Sequence, residues 1–123
     1  MTTGVVVWVG VALVSGAGAC LRFVLDLAVQ GRRPGRFPLG ILVVNGLGAF
    51  VLGVLHGAGV TGDALLLSGT ALLGSFTTFS TWMVESERLA AEGEGGLATA
   101  NVLGSLAPGL AAVALGWALG AAL

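Results

Sequence analysis

The chain has no lysine, no tyrosine, a single cysteine and a single histidine. Without lysine, and with a formal net charge of −1, it offers no basic patch to nucleic acid. Cys20, between Ala19 and Leu21, has no second cysteine to bridge to and reads as a small apolar packing group. His56 falls in a glycine-rich stretch read as a solvated loop, and no His/Cys cluster has the spacing of a metal site. Glu85, Glu87, Glu92 and Glu94 crowd together, the pattern of a solvated face rather than an acid–base pair. Nothing in this inventory supports an enzyme.

Charge of either sign is scarce. Only 9% of the 123 residues are charged, against roughly a quarter in soluble domains, while 56% are hydrophobic. A run of about 20 apolar residues crosses a hydrocarbon core. Four such runs fit, at about residues 4–29, 37–55, 63–86 and 97–123. The sequence therefore predicts one all-α integral membrane domain with almost nothing outside the bilayer. The first run is not expected to be a cleaved signal: no basic residue precedes it, and it carries Arg22 and Asp26.

Glycine, by contrast, is plentiful, at 22 residues. Gly16, Gly18, Gly46, Gly48, Gly53, Gly104, Gly109, Gly116 and Gly120 fall inside the spans, where small residues let helices, including those of a second copy, approach closely. A dinucleotide fingerprint does not fit, because neither Gly16-x-Gly18 nor Gly46-x-Gly48 has a third glycine or a downstream acid.

The most informative segment is Gly74-Ser75-Phe76-Thr77-Thr78-Phe79-Ser80-Thr81-Trp82, which sets five hydroxyls in the middle of an apolar span. Polar groups at that depth face a bundle interior or a wet cavity, and Ser and Thr side chains compete with a helix's own hydrogen bonds. A break in the third helix is expected here. Asn45 lies at similar depth in span two and admits three roles: an interhelical hydrogen bond, a cap on a broken neighbour, or a donor lining a pore. Arg22 can snorkel to the interface or pair with Asp26, or it can draw anions into a vestibule. Phe76, Phe79 and Trp82 recur every three residues, either as a packing stripe or as positive ring edges along a narrow dry path for an anion.

These segments together resemble the Fluc (CrcB) family of small fluoride channels. Gly16-Ala17-Gly18-Ala19-Cys20-Leu21-Arg22-Phe23 is similar to the family's Gly/Ala-rich run ending in Arg and an aromatic. Pro38 to Phe50, centred on Val44-Asn45-Gly46, resembles the motif of its second span, and Gly74 to Thr81 resembles its Gly-x-x-Thr-Thr-Phe-Ser-Thr hallmark. Gly104-Ser105 and Gly109 fit the fourth span.

The resemblance implies an antiparallel, dual-topology dimer with two fluoride pores, in the inner or plasma membrane of a bacterium. Asn45 would be a pore-facing donor, Phe79 a ring-edge contact, and Ser80, Thr81 and Ser105 a hydroxyl track. A structural Na⁺ would sit at the helix break on carbonyls of Gly74 and Thr77 from each subunit. Three departures stand out: Trp82 takes the place of the second pore phenylalanine, Asn101 that of a tyrosine, and Ile41 that of a threonine.

Arg32, Arg33, Arg36 and Arg88 fall in or beside the first and third loops, with Arg22 at the same end, and the other side has no Arg or Lys. By the positive-inside rule that end is cytoplasmic. So lopsided a chain is expected to have one orientation and to pair with an oppositely inserted paralogue, the alternative being a homodimer. Two other functions compete. A small drug exporter needs a membrane-embedded carboxylate, and span one offers only Asp26 near its end; a non-transporting scaffold leaves the polar break unexplained.

Overall fold

The structure, a computed structural model, describes residues 2–123, and among them every regular element is helical. Helix α1 spans Thr2–Arg32, α2 Leu39–Gly57 and α3 Gly62–Leu65; a π-helix covers Leu66–Leu73; then come α4 at Gly74–Phe76, α5 at Ser80–Ala91 and α6 at Gly95–Ala121. The run from α3 to α5 forms one segment, Gly62–Ala91, so four helices are long and apolar enough to cross a membrane. The third of them is interrupted at residues 77–79, inside the stretch where the sequence predicts a break.

Two boundaries differ from the sequence reading for a physical reason. The charged stretch after Ser86, predicted to be loop, continues α5 to Ala91. Its charges pair along the helix instead of dispersing into solvent. Arg88 donates from Nε and Nη2 to Glu85 at 2.9 and 2.7 Å, and from Nη1 to Glu92 at 3.1 Å, at i,i+3 and i,i+4 spacing. The helix ends at Gly93, whose φ of +81° is the left-handed stop that glycine takes without strain. His56, predicted to be in a loop, lies in the last turn of α2, where its Nδ1 is 3.0 Å from the carbonyl of Leu52.

The tightest packing joins α2 to α6. Gly53 and Gly57 on one helix face Gly116 and Gly120 on the other, each pair four residues apart. A Cβ on Gly53 would run into the Val113 carbonyl, one on Gly57 into Trp117, one on Gly116 into Phe50, and one on Gly120 into Val54. All four obstacles are backbone, which no rotamer change relieves. Gly57 lies beyond the predicted end of span two, so the predicted spans leave this pairing out. Gly18 gives close approach to Leu72 and Ser75, and Gly48 to the Thr77 methyl, so α1 and α2 grip the third segment around its break. Gly16, Gly46, Gly104 and Gly109, expected to serve packing, have open space where a Cβ would stand, so within one chain they pack against nothing.

At one end of the bundle the first and third loops are tied together. Arg36 pairs with Glu94, and Arg88 Nη2 donates to the Arg36 carbonyl at 3.2 Å. Gln30 donates from Nε2 to the Phe37 carbonyl at 3.2 Å and accepts the Gly40 amide at the same distance, fixing the turn into α2. Exposed ion pairs contribute at most about 1 kcal/mol. Their use here is to hold Arg36 and Arg88 together at one end of the bundle. The opposite requirement, an apolar exterior, is met by Val5, Val9, Leu13, Phe23, Leu110 and Leu115, all exposed on α1 and α6.

Candidate ion pathway

The helix break is made by one side chain on a neighbouring helix. Thr77 turns to extended backbone, φ −82° and ψ 161°, so the next amide points away from the helix axis. That amide, of Thr78, donates to Asn45 Oδ1 at 2.8 Å, while Asn45 Nδ2 donates to the Thr78 carbonyl, also at 2.8 Å. One carboxamide therefore satisfies both backbone groups of a residue that has left the helix. Unpaired, each would cost several kcal/mol in hydrocarbon, which is why irregular backbone at this depth needs a protein partner. The same pair of bonds is both an interhelical contact and a cap on the broken neighbour, two of the three roles open to Asn45 in the sequence. Its second Nδ2 hydrogen has no acceptor among the described residues.

The hydroxyls around the break are mostly turned to backbone. Ser75 Oγ donates to the Ala71 and Leu72 carbonyls at 2.7 and 2.9 Å, and Thr77 Oγ1 to Leu73 at 2.8 Å. This is the competition with helix bonds expected of Ser and Thr. Past the break, Thr78 Oγ1 accepts the Thr81 amide at 3.2 Å and donates to Thr81 Oγ1 at 3.2 Å, starting α5. Ser80 Oγ lies 3.4 Å from the same oxygen. Because the Thr78 amide is drawn to Asn45, the Gly74 carbonyl loses its helical partner, and the Thr77 carbonyl likewise accepts no hydrogen bond among the described residues.

The break opens onto a cleft of about 740 Å³ between α2, the third segment and α6. Asn45, Gly74, Thr77, Phe79, Trp82 and Ser105 all line it, together with Thr78, His56 and a wall of leucines. The aromatic stripe is split by the break: Phe76 is buried in the core, whereas Phe79 stands in the cleft with 70% of its surface exposed. Phe79 and Trp82 meet edge to face, their centroids 5.7 Å apart and their planes at 87°. The Trp82 indole Nε1 donates to the Asn101 carbonyl at 3.0 Å. Asn101 itself is fully buried; its Nδ2 donates to Ser86 Oγ at 2.9 Å and to the Trp82 carbonyl at 3.3 Å.

Three of the candidate residues lie elsewhere in the single chain. Ser80 and Thr81 sit beside Thr78 but outside the cleft lining, and Arg22, half exposed on α1, forms no ion pair with Asp26 or any other described residue. Sequence reasoning missed Thr78, whose backbone is the partner of Asn45, and the role of Asn101; an amide within an apolar span was the available signal for the second. It also missed the π-helix, for which the sequence carries no signature.

Comparison with known proteins places the chain in a family. The family described as CrcB-like protein, Camphor Resistance (CrcB), matches residues 9–117. "Fluoride-specific ion channel FluC 2" of Mycolicibacterium paratuberculosis is 53% identical over 116 residues, 94% of each chain. The protein of the same name in Haloarcula marismortui is 48% identical over 83% of each chain, and "Fluoride-specific ion channel FluC 1" of Rubrobacter xylanophilus 47% over 87% of each. With its four membrane-length helices and its broken third span, the chain belongs to the CrcB family of multi-pass membrane proteins.

Proposed function

We infer that the chain is a subunit of a fluoride-specific ion channel that lets the anion leave the cytoplasm passively and so relieves its toxicity. Fluoride enters cells as neutral HF from acid surroundings and is trapped as the anion at cytoplasmic pH. A selective path down the gradient is enough to release it, with no bond made or broken. The observation that carries this reading is the two-point bond from Asn45 to Thr78, which holds an unwound backbone segment open to an apolar cleft. Among the described residues none that lines the cleft is a carboxylate, which disfavours a proton-coupled exporter. In a fluoride-sensitive bacterium, expression of the chain is expected to restore growth in acid medium containing fluoride. Equal sensitivity with and without the folded protein would contradict the inference.

Within this reading Asn45 keeps one amide hydrogen for the ion, and Phe79 and Trp82 offer ring edges. Ser105, Ser80 and Thr81 supply hydroxyls, and Arg22 raises the local anion concentration. The path is completed by a second, oppositely oriented subunit. The arginines gathered at one end favour a paralogue as that partner over a second copy. A topology reporter fused to the C-terminus is expected to signal from the outer side only; equal signal from both sides would refute the preferred orientation.

The carbonyls of Gly74 and Thr77, freed of amide partners, fit a hard cation that takes oxygen ligands, and no cluster of His, Cys, Asp or Glu lies among the described residues to hold a softer one. Na⁺ there would fasten two broken helices together. Exhaustive exchange of Na⁺ for choline is expected to weaken the assembled dimer and lower flux, and an unchanged dimer and flux would remove the ion from the site.

A further inference from the structure

Among the described residues, His56 is the one ionisable side chain that lines the cleft. It follows Asn45, Ala49 and Leu52 at steps of four, three and four, so all four share one face of α2, and all four line the cleft. Eleven residues of helix separate Asn45 from His56, about 16 Å at about 1.5 Å per residue. That is half the thickness of a hydrocarbon core of about 30 Å. With Asn45 near mid-depth, His56 stands where the cleft meets water, and its surface is exposed. This mouth lies at the end away from the arginines, which the positive-inside rule assigns to the outside.

One ring nitrogen is already committed. Nδ1 lies 3.0 Å from the Leu52 carbonyl, and a carbonyl only accepts, so Nδ1 carries the hydrogen of the neutral ring. Nε2 is left with a lone pair and no hydrogen-bond partner among the described residues. A lone pair repels an anion. Uptake of a proton turns Nε2 into a second donor and charges the ring, while the bond to Leu52 is kept. Imidazole is the side chain suited to make that change between about pH 5 and 8. No neighbouring charge masks it. The outer halves of α1 and α6 and the π-helix carry no titratable side chain. Asp63, at the start of α3, and the carboxylate of Leu123 lie at this end; both residues are exposed, neither lines the cleft, and neither forms an ion pair with His56.

Resting on the fluoride-channel reading, we propose that His56 is the anion-recruiting residue of the outer mouth, where a proton on its ring turns it from an acceptor that repels fluoride into a charged donor that speeds conduction. A positive charge at a mouth raises the local anion concentration and lowers the barrier an anion crosses there in either direction. It acts away from Asn45, so it does not deepen the well in which the ion must not linger. Acid outside is also the condition under which HF enters and fluoride accumulates. Conduction is then fastest while the cargo is being loaded.

The test is fluoride current through the assembled channel in planar bilayers, with equal pH on both sides, compared at about pH 8 and about pH 5.5. Neutral HF carries no current, so leakage of the acid does not enter the reading. At low ionic strength, acid is expected to raise the current about twofold to sixfold, the effect of a unit charge about 8 Å from the ion at a dielectric of about 40–80. His56→Gln, which takes up no proton, is expected to show no acid gain. His56→Arg, charged throughout, is expected to show none either, and at the higher pH to carry more current than His56→Gln by that same factor. An impermeant salt is expected to shrink the acid gain by screening, a response that a purely structural role for His56 would not give. A current that ignores pH in the unaltered chain, an acid gain that survives in His56→Gln, or equal currents in His56→Arg and His56→Gln would each overturn the proposal. Absence of fluoride current at both pH values is instead the failure of the channel reading, and the inference falls with it. Size-exclusion profiles of the three proteins keep a folding defect from being taken for slow conduction.

Discussion

Asn45→Asp is expected to abolish fluoride efflux and to lower thermal stability. The substitution removes the Nδ2 hydrogens, so the bond to the Thr78 carbonyl is lost and two oxygens are left facing each other where a 2.8 Å hydrogen bond stood. It also places a carboxylate in the span, which costs about 2.5–3.5 kcal/mol on insertion scales. An anion in the cleft would meet that charge at close range. At about 4 Å and an effective dielectric of about 20, the repulsion is about 4 kcal/mol, or nearly a thousandfold in occupancy. Asn45→Ala separates the two effects. It leaves the same two backbone groups of Thr78 unpaired, at several kcal/mol each in hydrocarbon, but adds no charge. Melting curves and efflux of both variants are the check. Normal efflux through Asn45→Asp would confine Asn45 to its structural bond with Thr78.

Phe79→Ile is expected to abolish efflux with little change in stability. Because Phe79 is 70% exposed in the cleft, removing its ring leaves no large cavity in the core. What is lost is the positive ring edge and the edge-to-face contact with Trp82. The discriminating pair of readings is efflux below detection beside an unchanged size-exclusion profile and circular dichroism. Normal efflux would refute the ring-edge role. Phe76→Ile is the useful contrast: Phe76 belongs to the same three-residue stripe but is buried, so its replacement is expected to act on stability.

The four spans were legible because hydropathy alone records them. The break was legible because five hydroxyls clustered in an apolar run compete for the helix's own hydrogen bonds, as Ser75 and Thr77 do. What stayed hidden depends on neighbours in space. That Asn45 caps the break is not legible until Thr78 is seen to have turned both backbone groups toward it. The charges after Ser86 read as loop because composition does not register that Arg88 bridges Glu85 and Glu92 along one helical face. Gly53 and Gly57, and Gly116 and Gly120, carry a four-residue spacing in plain view, yet that the two pairs meet each other is a fact about α2 and α6 together. Trp82 and Asn101 look like separate oddities 19 positions apart until the indole N–H is found on the Asn101 carbonyl.

The most direct test of a fluoride-specific pathway is ion efflux from liposomes containing the purified protein, with fluoride and chloride measured side by side. Rapid loss of fluoride with chloride retained is the expected result. Equal passage of the two anions would contradict it. So would retention of fluoride by folded protein, both alone and with any second subunit that co-purifies from its own host.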